Sequence, residues 1–223
     1  MSMHTEAKLI KGLTSPSTFF YRLGEAEIVP RFAKKMTWLF VLSALVFGFV
    51  AFFGIGMDSL AKEATSLTPL EYELEKTMFF FGRLIAGLLY AALILFFSSL
   101  VFWTISDHGE YRKIVMVQGL TLLILLLEKL TFVPLSLFFS IEWYSSPLSL
   151  GVIAQAITSK SYVVYLLGAI SLFKVWIIYL QYRGIKYLTR QKNWLIWLVI
   201  VLINVLFWAL NALLAYLDLS TLI

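Results

Sequence analysis

The sequence predicts an all-α fold, a polytopic membrane helical bundle with five transmembrane helices and an N-terminal interfacial helix. Three observations lead there. Of 223 residues, 61% are hydrophobic and only 14% charged, where a water-soluble domain carries about 25% charge. Five runs reach the roughly 20 apolar residues that a helix needs to cross about 30 Å of hydrocarbon. Lys and Arg, finally, gather at one set of run ends.

In chain order, the stretch TSPSTFFYRLGEAEIVP places Ser before Pro, as at a helix start, and sets Phe19, Phe20 and Leu23 on one face. It reads as a helix lying on the inner membrane surface, its apolar side among headgroups and Arg22 in water. The first 35 residues hold no long apolar core followed by a small-residue cleavage site, so no signal peptide is expected. Residues 1–35 therefore read as a cytoplasmic segment and 36–223 as the five-span domain.

The spans fall at 36–57, 78–104, 114–135, 162–182 and 194–216. Between the first two, TPLEYELEK supplies a capping box: Thr68 caps, Pro69 fits the first turn and Glu71 reaches back. The second helix is thus expected to start above the membrane. Between spans three and four, SSPLSLGVIAQAITSK repeats the Ser-Pro start but is too short to cross, so it lies flat or re-enters. Small residues at Ala44, Gly48, Gly168 and Ser171 let neighbouring backbones come close.

Orientation follows from the basic residues. Lys8, Lys11, Arg22, Arg31, Lys34 and Lys35, then Arg112 and Lys113, then Arg183, Lys186, Arg190 and Lys192 share one side; Lys62, Lys76 and Lys160 take the other. The positive-inside rule makes the N-terminus cytoplasmic and the C-terminus external. The loop YRGIKYLTRQKN, with Arg183, Lys186, Arg190 and Lys192, lies against the inner leaflet, where it suits anionic lipid or a partner and not nucleic acid.

Four ionisable residues lie within spans: Arg83, Glu128, Lys129 and Lys174. Each carries a translocon penalty of about 2.5–3.5 kcal/mol at a helix centre, so they are expected to face protein or water. At about 1.5 Å rise per residue, Arg83 and Glu128 fall at similar depth, roughly 8 Å and 10–13 Å below the outer surface. Guanidinium and carboxylate geometry favours their pairing; Lys174 reaches toward Glu128 or snorkels inward. Asn204 and Asn211, seven residues apart, share a face of span five with Trp208 and suit hydrogen bonds between helices. Three readings of this polar set stand open: a buried network that fixes the bundle, a pathway for a proton, ion or headgroup, and contact with a partner's helix. The surplus of bases over the single acid favours water, an anionic headgroup or a partner carboxylate nearby.

Catalytic and cofactor constellations are missing. There is no HExxH, GxSxG or GxxxxGK[ST], and histidine occurs only at positions 4 and 108. Without cysteine there is no disulfide, no thiolate metal site and no thiol nucleophile. The turn Asp107, His108, Gly109, Glu110 is read as an ordinary turn, with no metal site, catalytic residue or cofactor expected.

SPSTFFYRL ahead of the first span, the five-span layout, and SLFKVWIIYLQYRGIKYLTRQKNW with Trp176 and Gly184 together resemble the YIP family of five-span membrane proteins, in their bacterial form. The DLYGP signature and long N-terminal region of the GTPase-binding eukaryotic members are not present. The resemblance implies a non-enzymatic accessory or interaction subunit in the bacterial cell membrane. Its implied partner is a membrane complex such as an ABC-type exporter, including one for antimicrobial-peptide resistance. The alternative is a small transporter, channel or lipid-handling protein that uses the buried charges.

Overall fold

The computed structural model describes residues 9–57, 60, 66–106, 110–189 and 191–217. Among these the regular elements are helices, apart from one isolated β-bridge. They are α1 (Leu9–Thr14), α2 (Pro16–Glu25), α3 (Phe32–Phe52), α4 (Pro69–Thr104), α5 (Tyr111–Phe139), α6 (Gly151–Ile157), α7 (Ser161–Gly168), α8 (Leu172–Leu188) and α9 (Asn193–Tyr216). A short 3-10 turn, Trp143–Ser145, precedes α6.

Four of these helices, α3, α4, α5 and α9, are long and apolar enough to cross a membrane. Their exposed residues explain the composition. On α3, Trp38, Val41, Leu45, Phe49 and Phe52 are all exposed at helical spacing, while Leu39, Ser43, Val46, Phe47 and Val50 are buried on the other side. A continuous exposed apolar stripe of this kind suits a hydrocarbon solvent, as does the similar one on α9. The protein is a helical membrane protein by these properties.

The α4 start bears out the capping box. Thr68 N and Thr68 Oγ1 both donate to Glu71 Oε2, at 2.9 and 2.7 Å, and Glu71 N donates to Thr68 Oγ1 at 3.4 Å. These bonds to the ionised form hold the Glu71 carboxyl below its usual range. At 36 residues α4 is about 54 Å long by its rise, well over the about 30 Å of a bilayer core. A π turn, Leu93–Phe97, interrupts it.

Two expectations change. The stretch 162–182 is not one helix: α7 ends at Gly168, and α8 begins at Leu172. No proline causes the break, whereas α5 continues through Pro134. What stabilises it is a backbone partner, since Leu150 N donates to Ile170 O at 2.9 Å and Leu172 N to Leu148 O at 3.0 Å, making the Ser149–Ser171 bridge. The groups that a helix would have paired internally are thereby satisfied from outside it.

The second change concerns α2. Its apolar side does not lie among headgroups, because Phe19, Phe20 and Leu23 are only 3%, 2% and 1% exposed. They cover protein instead. A Cβ built on Gly184 would stand 2.7 Å from Val117 and 2.9 Å from Phe20, so the missing side chain is the seat for α2. Likewise a Cβ on Gly12 would stand 2.7 Å from Leu120.

The chain divides into two compact units. Unit 1 comprises Met1–Leu39, Ala91–Leu125 and Phe173–Phe207. Its core joins Phe102, Ile114, Ile185, Ile196, Ile200 and Ile203, while α1 and α2 pack on each other and meet α5 and α8 at Leu120 and Gly184. Unit 2 comprises Phe40–Tyr90, Leu126–Leu172 and Trp208–Ile223. In it a Cβ on Gly87 would meet Ser43 O at 2.8 Å and Ala44 Cα at 2.9 Å, the close backbone approach that Ala44 suggested. Ser43 Oγ donates to Gly87 O across the same contact, at 2.7 Å.

Candidate functional site

Unit 1 holds a buried chain of amides. Asn204 Nδ2 donates to Gln181 Oε1 at 2.8 Å, and Gln181 Nε2 donates to Gln118 Oε1 at 3.1 Å, so the chain links α9, α8 and α5. Its direction is set at one end by a helix carbonyl, because Asn204 Nδ2 also donates to Ile200 O at 2.8 Å. An amide nitrogen there forces every later amide to present oxygen first and nitrogen last. The far end is therefore Gln118 Nε2, which is buried and has no hydrogen-bond partner among the described residues. Thr121 Oγ1, one turn along the same face of α5, is in the same condition.

Asn204 was singled out by sequence. Gln118 and Gln181 were not, although an uncharged amide inside a span is as conspicuous there as a charge. Asn211, the other residue expected on that face, is half-buried in unit 2.

Unit 2 holds Arg83, Glu128 and Lys129. The Glu128 carboxylate accepts from the Ser171 hydroxyl, at the break between α7 and α8. Sequence reasoning took Ser171 only for a small packing residue, because nothing local marks the break. Lys129, about 100° round α5 from Glu128, lies over the Phe47 ring at 3.9 Å. Phe47 in turn packs on Tyr90 with centroids 5.3 Å apart. Arg83 is buried, 8% exposed, with its guanidinium 4.9 Å from the Phe79 ring and against Gly56, where a Cβ would run into it. Gly56 has φ +83, so the turn after α3 needs glycine there on two counts. Glu128, Lys129 and Lys174 are all half-buried, and Lys174 belongs to unit 1.

The basic loop residues also find places in unit 1. Arg183 Nη2 donates to Ser17 Oγ at 3.2 Å, which ties α8 to α2. Lys186 Nζ donates to Gln191 O at 3.3 Å, which ties α8 to the segment before α9. Lys192 stands just before α9, while Arg190 lies outside the described residues, as do Lys8, Lys62 and the turn residues Asp107, His108 and Gly109. Lys113 Nζ, ion-paired with Glu110 at 3.1 Å, also donates to Gly24 O at 3.2 Å. Tyr187 lies over Gly24, where a Cβ would stand 2.5 Å from its ring. No family model, curated protein or solved structure matches this chain. Among the described residues no three His, Cys, Asp or Glu come together as a metal group.

Proposed function

We propose that this is a non-enzymatic integral membrane protein of YIP type, an accessory or interaction subunit of a larger membrane complex. The observation that carries the reading is the use of its buried polar groups. The amides of Asn204, Gln181 and Gln118 are engaged with one another and with a helix carbonyl, the work of a network that locks helices together. On this reading α7 and α8 together make a fifth, interrupted crossing. At 17 residues α8 alone rises about 26 Å, most of a bilayer core. The N-terminus is cytoplasmic in a bacterial cell membrane, and the Arg183 to Lys192 loop meets a partner such as exporter subunits, or anionic lipid.

The test is co-purification from native membranes in gentle detergent after crosslinking. A stable larger complex is expected; isolation of the chain alone under several such conditions sinks the reading.

A transporter or lipid-handling protein is the second reading, favoured by a specific observation. An acid bound at the break of a discontinuous helix is an arrangement used in ion-coupled carriers. It predicts that Glu128→Gln changes solute flux in liposomes while thermal stability persists. Equal flux for wild type and variant across a broad solute panel removes it.

A further inference from the structure

Within unit 2 a cleft of about 270 Å³ opens between the 3-10 turn, the end of α6 and the start of α7. Tyr144, Val164 and Tyr165 are the wall residues with apolar surface; Gln155, Thr158, Ser159 and Ser161 are those whose side chains carry an amide and three hydroxyls. No charged side chain lines it among the described residues. Its volume, just below the about 300–1,000 Å³ of drug-sized sites, is enough for a single small ring.

The wall is built, not incidental. Tyr144 and Tyr165 have centroids 5.0 Å apart at 57°, and Trp143 backs both, at 5.7 Å from Tyr144 and 5.9 Å from Tyr165. The Tyr144 backbone is clamped between two glycines. A Cβ on Gly151 would run into Tyr144 O, and one on Gly168 would stand 2.9 Å from Tyr144 Cα. An aromatic that merely floats at a headgroup boundary needs no such seat. The polar side is fixed as well. Gln155 Nε2 donates to Ser145 Oγ at 2.7 Å, which sets the direction of the amide. Thr158 Oγ1 accepts from Lys160 N at 3.2 Å, which leaves its proton to donate elsewhere.

A ligand matched to this wall carries an apolar face for the rings and a rim of hydroxyls for the amide and hydroxyl groups. An acyl chain would waste the polar side, and an ion would find no counter-charge. We propose that the cleft binds a neutral polyhydroxylated ring, a sugar presented free or as a glycolipid headgroup.

The full chain is reconstituted in phospholipid nanodiscs without any alkyl glycoside detergent, whose own headgroup would compete. Methyl β-glucoside is titrated and followed by saturation-transfer NMR. In a second arm, discs containing a glucosyl diacylglycerol are compared by competition. Saturable binding in the millimolar range is expected, weakened at least about tenfold by Gln155→Ala and by Tyr165→Leu. Gln155 is exposed, so its variant folds whatever becomes of Tyr165→Leu. A free-sugar site gives equal affinity in the two arms, whereas a glycolipid site favours the second at least about tenfold. The proposal is overturned by no saturable signal in either arm, by binding that Gln155→Ala leaves unchanged, or by phosphocholine competing as well as the glucoside.

Discussion

At the scale of single residues, the amide chain of unit 1 separates polar groups that hold the fold from one that does not. Gln181→Leu removes the donor to Gln118 Oε1 and the acceptor for Asn204, so it leaves a buried carbonyl orphaned. We expect a loss of about 1–3 kcal/mol, read from the midpoint of reversible SDS unfolding. Thr121→Val takes away a hydroxyl that already lacks a partner, and stability should stay level or rise by up to about 1 kcal/mol. Should both substitutions shift the midpoint equally, the chain is not what stabilises the helices. Asn204 was legible in sequence because an amide in an apolar run stands out. Its two partners were equally visible by type, but their meeting depends on how three helices face one another, which no local pattern encodes.

At the scale of elements, helix starts were legible and the helix break was not. Thr68, Pro69 and Glu71 act over one turn, within reach of local pattern, and the structure has the reciprocal bonds they imply. That box also gives a pH response. Glu71 has a folded pKa below its ordinary 4.5. Its contribution is complete above that ordinary value and disappears as pH falls through the lowered one. Amide protection factors for Thr68 and Glu71 should therefore drop in that acid window, and Glu71→Gln should flatten the response. Protection that is independent of pH in the wild type would count against the box. The break at Ala169–Ser171, by contrast, depends on Leu148 and Leu150, some twenty residues upstream. Pro134 shows the converse, a local breaker overridden by packing, as membrane helices tolerate when neighbours resatisfy the freed carbonyl.

At the scale of the whole molecule, composition alone made the class legible: the apolar stripes left exposed on α3 and α9 are those that a lipid solvent requires. Orientation rests on the asymmetry of Lys and Arg. The sequence has no cysteine, so single substitutions report topology without background. With an impermeant maleimide on intact cells, Ser66→Cys and Ser159→Cys should label. Lys35→Cys and Lys192→Cys should label only after lysis. External labelling of Lys192→Cys would reverse the assignment.

The two backbone bonds around Ser149 and Ser171 make no demand on side-chain identity. Positions 148–150, 170 and 172 are therefore free to vary with the interruption intact, while Ser171 is also held through its hydroxyl by Glu128. The exception is proline at 150 or 172, where the imino acid deletes the donor nitrogen. In a saturation mutagenesis screen the helix break would be almost silent, betrayed by a proline-only intolerance at two sites, one of them a first helical position where proline is ordinarily welcome.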